Sequence, residues 1–310
     1  MAAFVLMVAA EWSCGVNLAG RTAADPDRAP MLEEMAQATY AGIFDQPIKL
    51  VDGRWEGTPI VEGGASRPSV GLIDHFILTG DLDGDGFDDA AALLWESSGG
   101  SGTHLYLAAV SRDGRAVTPL DTILIGDRVQ VRSGAIANGE VTLDIVRAGP
   151  DDAACCPTQR ALVTWKLGSD GLTRIADKTV GTLSLVDLGG VEWVLLELGR
   201  EQPLPQDVEI RLVFREDKVS GNSGCNDYFA GIVTSSPSEF SFNGMGATRM
   251  ACPEPVMEVE RRYLQTLAGA SEFRFLAGRL VLICDTEEGP RKLVFAPRDQ
   301  FIGIRTQPGK

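Results

Sequence analysis

The densest group of residues able to do chemistry is an acidic loop that reads DLDGDGFDD over residues 81–89. Its carboxylates stand at positions one, three, five and nine of the loop: Asp81, Asp83, Asp85 and Asp89. The backbone carbonyl of Phe87 at position seven adds a further oxygen, and Gly86 at position six permits a sharp turn. Oxygen donors at this spacing converge on a hard cation, so the loop predicts a structural Ca²⁺ site with these five ligands.

The residues around this loop describe a β-domain and not an EF-hand. Position twelve is Ala92, where an EF-hand carries a bidentate glutamate. The flanking segments 76–78 and 90–95 are typical of strands. The pattern therefore resembles the calcium loops of integrin-type FG-GAP repeats as well as those of EF-hands. The alternative is an acidic hairpin without metal, whose aspartates hydrogen-bond the turn.

Six cysteines bear on the compartment in which the chain works: Cys14, Cys155, Cys156, Cys225, Cys252 and Cys284. In an exported protein, pairs among them form disulfides. The adjacent Cys155 and Cys156 predict a vicinal disulfide, although each could pair elsewhere. Cys284 ends an apolar run and is expected to be buried. No cysteine or histidine spacing indicates zinc.

No residue set in the chain is typical of a catalytic site. The two histidines, His75 and His104, are far apart, and no Ser/His/Asp set is apparent. The carboxylate pairs Glu33-Glu34 and Asp151-Asp152 are adjacent, so their members lie on different faces of an element and do not predict a glycosidase pair. The formal net charge of −15 argues against a nucleic-acid partner. We therefore expect no enzymatic activity.

The N-terminal segment predicts export. Residues 1–10 are apolar, and residues 1–19 are interpreted as a signal or N-terminal anchor. Cys14 is a candidate for lipid attachment, although Glu11 and Trp12 precede it and no basic leader is present. The alternative is an unprocessed N-terminus. No apolar run reaches the ~20 residues that span a bilayer, so we expect no transmembrane span in the mature chain and place it in the periplasm, the outer envelope or outside the cell.

Hydrophobic patterning divides the rest into two β-rich domains. After a linker at 20–30 comes a helix at 31–43, followed by strands with turn signals between them. Those strands are 76–78, 90–95, 104–110, 122–125, 129–132, 141–146 and 161–167. Their spacing predicts an antiparallel meander, and the first domain is assigned to residues 31–180.

The second domain is assigned to residues 188–300, with a tail at 301–310. Its predicted strands are 192–198, 209–214, 218–221, 229–234, 240–242, 273–275, 279–284 and 291–295. One helix at 255–268 interrupts them, because Val256, Val259, Tyr263, Leu264 and Leu267 form an apolar stripe. Its charged residues are expected in solvent: Glu254, Glu258, Glu260, Arg261 and Arg262.

Two matched turns in this domain carry cysteines, in the segments 221–228 and 247–253. Gly221 and Gly224 indicate a tight bend with backbone angles that other residues avoid, and Asn226 is expected to hydrogen-bond its own local backbone. If the two turns lie at the same end of the sheet, Cys225 and Cys252 form a disulfide. One alternative is two buried free cysteines. The other is a catalytic thiol, which is disfavoured because neither cysteine has a histidine nearby in the sequence.

An ordered series of residues runs through this domain: Trp193, Gly224, Cys225, Asn226, Tyr228, Thr248, Met250 and Cys252. Through these residues, in the family's order, the chain from residue 191 to about residue 298 resembles the META domain, the family that includes the heat-shock protein HslJ. The resemblance implies a small antiparallel sheet curved around its helix. It also implies a role in the bacterial envelope or in stress tolerance, with no known reaction. The first domain resembles bacterial secreted β-modules that we cannot assign to a family.

Together these patterns predict a mainly β (α+β) protein with two antiparallel β-rich domains. The favoured function is that of a non-enzymatic, exported or envelope-associated META/HslJ-like protein that supports the envelope under stress, with structural Ca²⁺ as its sole cofactor. An acidic module that binds an unknown protein partner, such as an inhibitor of a cationic hydrolase, is the first alternative. An unrecognised hydrolase is the second.

Overall fold

The structure is a computed structural model that describes residues 28–300, except 101, 114–115, 154, 200–203 and 206. The signal or anchor segment at 1–19, Cys14 as a lipid site and the tail at 301–310 lie outside the described residues, as does most of the linker at 20–30. The described part is mainly β and antiparallel, as predicted. No helix within it combines the length and apolar character needed to cross a membrane.

The described chain begins with a short helix and a two-stranded sheet. Helix α1 covers Leu32–Met35 only, and the strands β1 (Thr39–Tyr40) and β2 (Ile48–Lys49) follow it. The helix predicted over 31–43 is therefore wrong beyond its first turn. Tyr40 explains the difference, because its ring is fully buried as part of β1 and its hydroxyl donates to the carbonyl of Met35.

The first predicted domain continues with two larger antiparallel sheets in which each strand pairs with its neighbour along the chain. The five-stranded sheet contains β3 (Arg54–Glu56), β4 (Ser69–Gly80), β5 (Asp89–Ser97), β6 (His104–Asp113) and β7 (Ala116–Asp127). The four-stranded sheet contains β8 (Gln130–Ala137), β9 (Glu140–Arg147), β10 (Gln159–Gly168) and β11 (Gly171–Thr182). This is the meander that the turn signals predicted.

Strand β5 has apolar residues on both faces because both faces are covered. Ala91 and Leu93 belong to the core shared with the four-stranded sheet, whereas Ala92 and Leu94 belong to the core beneath α1, β1 and β2. A strand buried on both sides reads as a continuous apolar run, without the alternation of a half-exposed strand. The sequence over 90–95 has this character, and the acidic loop leads directly into it.

The C-terminal sheet has eight strands in the order β16-β15-β14-β13-β12-β19-β18-β17. The strands are β12 (Glu192–Leu198), β13 (Arg211–Arg215), β14 (Lys218–Asn222), β15 (Asp227–Thr234), β16 (Phe240–Ala247), β17 (Ala270–Leu276), β18 (Arg279–Thr286) and β19 (Gly289–Pro297). The sheet curls until its outer strands meet, since Glu239 and Glu272 form an antiparallel bridge and Phe273 donates its N–H to the carbonyl of Ser238 (3.0 Å).

Helix α2 (Glu254–Ala268) packs on this curved sheet, as predicted. Its buried residues are Val259, Tyr263 and Leu267, which follow one another at helical spacing. Pro255 stands in the first turn, where the backbone N–H has no helical partner to lose. The helix therefore lies over the concave face with one apolar stripe inward.

A cluster of charged side chains joins the four-stranded sheet to the 3₁₀ helix Leu185–Leu188, which leads into β12. The Asp144 carboxylate on β9 accepts from Arg132 (2.7 Å) and Arg160 (3.0 Å), and Arg160 also donates to Asp187 (2.5 Å). The guanidinium of Arg132 lies 5.1 Å from the ring centroid of Phe275 on β17. These contacts fix the C-terminal sheet against the four-stranded one.

Candidate functional site

The acidic loop joins β4 to β5 and turns back on its own backbone. Asp81 accepts the backbone N–H groups of Gly84 (2.6 Å) and Gly86 (3.1 Å). Both glycines have positive φ, at 85° and 90°, a conformation that costs residues with a Cβ more. Both glycines thus allow the loop to bend: Gly86 is the one to which the pattern assigned the turn, and Gly84 is a second one.

Three of the predicted ligands lie together. Carboxylate oxygens of Asp81, Asp83 and Asp89 all lie within 4.8 Å of one another. Asp89 is almost fully buried, and its Oδ2 accepts the N–H groups of Leu82 (2.9 Å) and Asp83 (3.2 Å). Partial burial and the neighbouring carboxylates raise the pKa of Asp83 above its ordinary value. A bound cation would offset that repulsion.

The other two predicted ligands are outside this group of three carboxylates. The Oδ1 atom of Asp85 accepts the N–H of Phe87 (2.8 Å), and Asp85 is not part of the cluster. The Phe87 side chain is half exposed. The loop can therefore offer Asp81, Asp83 and Asp89 as a nucleus for a hard cation, and the full five-ligand set stays a prediction.

The Gly-Cys-Asn turn connects β14 to β15. Gly224 has φ of 99°, so it needs the freedom predicted for it. Gly221 is required for a different reason: a Cβ there would lie 1.9 Å from the carbonyl oxygen of Arg211 on β13. The Sγ atoms of Cys225 and Cys252 are 1.94 Å apart, at disulfide distance. The turn is thereby linked to the segment that enters α2.

Asn226 holds this turn against that same segment through its side chain. Its Oδ1 accepts the hydroxyl of Thr248 (2.8 Å) and the N–H of Met250 (2.7 Å). Its Nδ2 donates to the carbonyl of Met250 (3.3 Å) and to Oε1 of Glu260 (2.9 Å). The expectation that the Asn226 side chain bonds its own local backbone is wrong, because its partners are more than twenty residues away.

Glu260 on α2 completes the arrangement and was not predicted. Its Oε2 accepts the backbone N–H of Asn226 (2.8 Å) and the hydroxyl of the fully buried Ser223. Burial alone raises the pKa of this carboxyl, but the hydrogen bonds from Ser223 and Asn226 outweigh it and hold the pKa below its ordinary value. The prediction that Glu260 stays in solvent is wrong. In the sequence, Glu260 lies on the polar face of an amphipathic helix, and nothing in that pattern indicates that a buried turn packs against it.

The aromatic motif residues lie in the core of the same sheet. The Tyr228 hydroxyl donates to the carbonyl of Arg211 (2.9 Å) and lies 2.7 Å from the hydroxyl of Tyr263 on α2. Trp193 is buried, and its ring N–H donates to the carbonyl of Leu188 (3.2 Å). Each polar atom of these rings therefore has a partner inside the fold.

The remaining cysteines within the described residues are one adjacent pair and one buried thiol. Cys155 and Cys156 have their Sγ atoms 2.21 Å apart. Cys284 is free and fully buried on β18, as expected, and burial raises the pKa of its thiol to about 12. A thiol with that pKa is neutral at physiological pH and is not a nucleophile.

Neither histidine is arranged for nucleophilic catalysis. The Nδ1 atom of His104 lies 2.6 Å from the buried Glu96, and the hydroxyl of Ser98 donates to that same glutamate. The Ser98 hydroxyl therefore bonds the glutamate and not the imidazole. A serine nucleophile needs the opposite, a hydrogen bond from its hydroxyl to the imidazole that removes its proton. Among the residues that the structure describes, no Ser/His/acid relay is present.

Comparison with known proteins identifies the C-terminal region. Residues 186–300 match the family model described as META domain, so the C-terminal third of the chain is a META domain, as predicted. The META domain is a non-catalytic family. A solved structure titled "NMR structure of the protein from Burkholderia xenovorans" is 24% identical and covers 40% of this chain and 97% of its own, with a TM-score of 0.31. No curated protein matches the chain.

Proposed function

We propose that this is a non-enzymatic, exported bacterial protein in which the META domain supports the cell envelope under stress. One observation carries the proposal: the polar groups of the Gly-Cys-Asn turn are used within the fold. The side chain of Asn226 makes four hydrogen bonds, and Cys225 lies at disulfide distance from Cys252. A motif whose polar atoms are already paired has a structural role and has none left to act on a substrate.

The paired cysteines support export. Disulfides persist in the periplasm and outside the cell, whereas the cytoplasm keeps thiols reduced. Two cysteine pairs at disulfide distance, Cys155–Cys156 and Cys225–Cys252, fit a protein that works outside the cytoplasm. A signal or anchor within residues 1–19, with lipid attachment at Cys14 as one form of it, would bring the chain there.

The acidic loop adds a structural calcium ion to this proposal. Asp81, Asp83 and Asp89 supply converging oxygens. Weak calcium sites fill outside the cytoplasm, and export would bring the protein there. The ion would hold the β4–β5 connection rigid. It would take no part in a reaction, because no histidine lies beside the three carboxylates in the described structure.

The charge supports one second candidate, an inhibitor of a cationic hydrolase such as a lysozyme. A net charge of −15 favours association with a basic partner over any acidic one. Such a complex would be held by long-range attraction, and retention of lysozyme on the immobilised protein would collapse as salt rises. Lysozyme that does not bind at low ionic strength would remove this candidate.

The experiment that tests the stress role is deletion of the gene, followed by complementation. We expect the deletion strain to survive heat and detergent less well than its parent, and the wild-type chain to restore survival. A chain carrying Asn226→Ala, which removes the four hydrogen bonds of the turn, should restore it less. A deletion strain as resistant as its parent to both stresses would contradict the proposed role.

A further inference from the structure

A cavity of about 970 Å³ lies where the first two sheets meet the C-terminal one. Its walls come from α1 (Leu32, Ala36), from the five-stranded sheet (Trp95) and from β17 (Phe275). Small-molecule sites in proteins typically enclose about 300–1,000 Å³ and lie at boundaries between structural units. The size and position of this cavity are those of a binding site, and it shares no residue with the META motif or the acidic loop.

The floor of the cavity is built from residues in register across four strands. Arg54 on β3 pairs with Gly71, Gly71 pairs with Trp95, and Trp95 pairs with Leu105 on β6. A Cβ on Gly71 would lie 2.4 Å from the indole, so the glycine lets the Trp95 ring lie across β4. The ring ends beneath the guanidinium of Arg54, 5.9 Å from its centroid.

The charged residues on the lining differ in whether a group of opposite charge neutralises them. Asp52 accepts only the neutral side-chain amide of Gln37 (2.8 Å) and keeps its negative charge. Arg274 is neutralised by Glu272 through two contacts (2.6 and 3.0 Å).

By contrast, Arg54 and Glu33 line the cavity and make no salt bridge with any residue that the structure describes. Both are exposed, so a ligand can reach them. The cavity therefore offers one guanidinium, that of Arg54, and two carboxylates, those of Glu33 and Asp52, without a salt bridge beside an apolar surface.

The histidine on the wall has no nitrogen available for proton transfer. The Nδ1 atom of His75 lies 3.1 Å from Asp74, and its Nε2 atom lies 3.1 Å from the carbonyl oxygen of Leu276 on β17. The ring links the two parts of the molecule that form the cavity. This arrangement suits a site that binds a ligand without transforming it.

We propose that this cavity binds a short apolar peptide with free termini. The peptide carboxylate would pair with Arg54, whose planar guanidinium donates to two carboxylate oxygens side by side while its face lies on Trp95. The peptide ammonium would pair with Glu33. An apolar side chain would lie against Trp95, which supplies the aromatic surface. A ligand with a carboxylate at one end and an ammonium at the other matches a lining that offers both a guanidinium and carboxylates without salt bridges.

Isothermal titration of the purified full chain with three dipeptides tests this proposal. The probes are Leu-Phe, N-acetyl-Leu-Phe and Leu-Phe-amide, which share their side chains and differ only in terminal charge. We expect Leu-Phe to bind roughly tenfold tighter than either blocked form, because each loses one charge-assisted contact. Arg54→Ala should remove the advantage over the amide, and Glu33→Gln the advantage over the acetylated form.

Two matched variants serve as controls, since Arg67 and Glu62 are exposed and lie outside the lining. Arg67→Ala and Glu62→Gln should bind Leu-Phe as the wild-type chain does. Three outcomes would overturn the proposal: no binding of any dipeptide, equal affinity for all three, or a preference for Leu-Phe that survives both Arg54→Ala and Glu33→Gln.

Discussion

The polar side-chain atoms of Asn226 and Glu260 are all hydrogen-bonded to other parts of the fold. The amide of Asn226 bonds Thr248, Met250 and Glu260, and Glu260 in turn accepts the N–H of Asn226. Buried polar groups are tolerated when they are fully paired, and then they fix one arrangement of the chain around them. Here they fix the β14–β15 turn, the segment before α2 and α2 itself.

Replacing Glu260 by glutamine should destabilise the protein by about 2 kcal/mol, because a charged acceptor of several hydrogen bonds becomes neutral and half of it becomes a donor. Equilibrium urea unfolding measures the change. Glu258→Gln is the matched control on the same helix, since Glu258 makes an exposed ion pair with Arg261. That control should change the stability little. Equal losses in the two variants would contradict a special role for Glu260.

The pH dependence of that difference has a definite sign. Hydrogen bonds hold the folded-state pKa of Glu260 below its ordinary value of 4.5, despite the opposing effect of burial. The carboxylate therefore stabilises the folded state above that value, and its contribution is lost as pH falls through the lowered pKa. We expect the stability gap between wild type and Glu260→Gln to be full at pH 7 and to shrink below pH 4.5. Urea titrations at several pH values check this, and a gap that widens with acid would contradict it.

Asp83 should behave in the opposite way, because its charge is disfavoured until a cation binds. Its pKa is raised by partial burial and by the nearby carboxylates. We expect Asp83→Asn to raise the melting temperature in EDTA by removing repulsion, and to lose the rise that calcium gives the wild-type chain. Calcium at about 100 times its dissociation constant should stabilise the wild type by about 2.7 kcal/mol.

The control for that experiment is Asp170→Asn, which alters an exposed aspartate in another Asp-Gly turn. It should keep the full response to calcium. A wild-type chain whose melting temperature is the same in calcium and in EDTA would contradict the proposed metal site.

At the scale of elements, the apolar pattern predicted the strands whose faces are buried. Strand β12 runs over Glu192–Leu198, the predicted range, and α2 begins one residue before its predicted start. Strand β11 was missed because Leu172 is its only buried residue, and the rest is held by backbone pairing with β10 and by the ion pair of Asp177 with Arg147 (2.8 Å). Pattern analysis detects burial, so it cannot detect a strand that is held by hydrogen bonds on an exposed edge.

The candidate sites divide in the same way. The acidic loop and the two cysteine turns were visible in the sequence because their residues are close together along the chain. Glu260 and the Arg54–Trp95 pair were not, since their meaning depends on partners brought together by the fold. The stacked arginine in particular requires Gly71 to lack a side chain, and an isolated glycine in a strand does not indicate which ring will cover it.

The link between the turn and α2 should be the more important of the two cysteine pairs. Cys225 and Cys252 are 27 residues apart, so their bond would restrict the unfolded chain by about 3.5 kcal/mol in the loop-entropy account. Adjacent Cys155 and Cys156 close almost no loop. We therefore expect Cys225→Ala/Cys252→Ala to lose several times more stability than Cys155→Ala/Cys156→Ala in non-reducing urea unfolding. Equal effects would contradict this account.

At the scale of the whole molecule, the charged cluster at Asp144 should decide whether the two parts unfold together. Arg132 and Arg160 both pair with that carboxylate through a terminal nitrogen, and their Nε atoms have no hydrogen-bond partner in the described structure. Asp144→Asn leaves two shielded guanidinium groups under-compensated, so we expect a loss of about 2 kcal/mol or more.

Calorimetry should then resolve two transitions where the wild-type chain shows one. Glu197→Gln is the control, because its pair with Lys292 is exposed and carries little stability. A single transition in Asp144→Asn, at the wild-type temperature, would show that the cluster does not join the two parts.

The proposed function requires an oxidised protein outside the cytoplasm, and one measurement tests that directly. Host cells are fractionated, free thiols are alkylated before reduction, and the cysteines are mapped by mass spectrometry of the protein in each fraction. We expect the protein in the periplasmic, envelope or extracellular fraction, with Cys155, Cys156, Cys225 and Cys252 protected and Cys284 alkylated once the chain is unfolded. A protein found in the cytoplasm, with Cys225 and Cys252 alkylated without reductant, would contradict the proposed function.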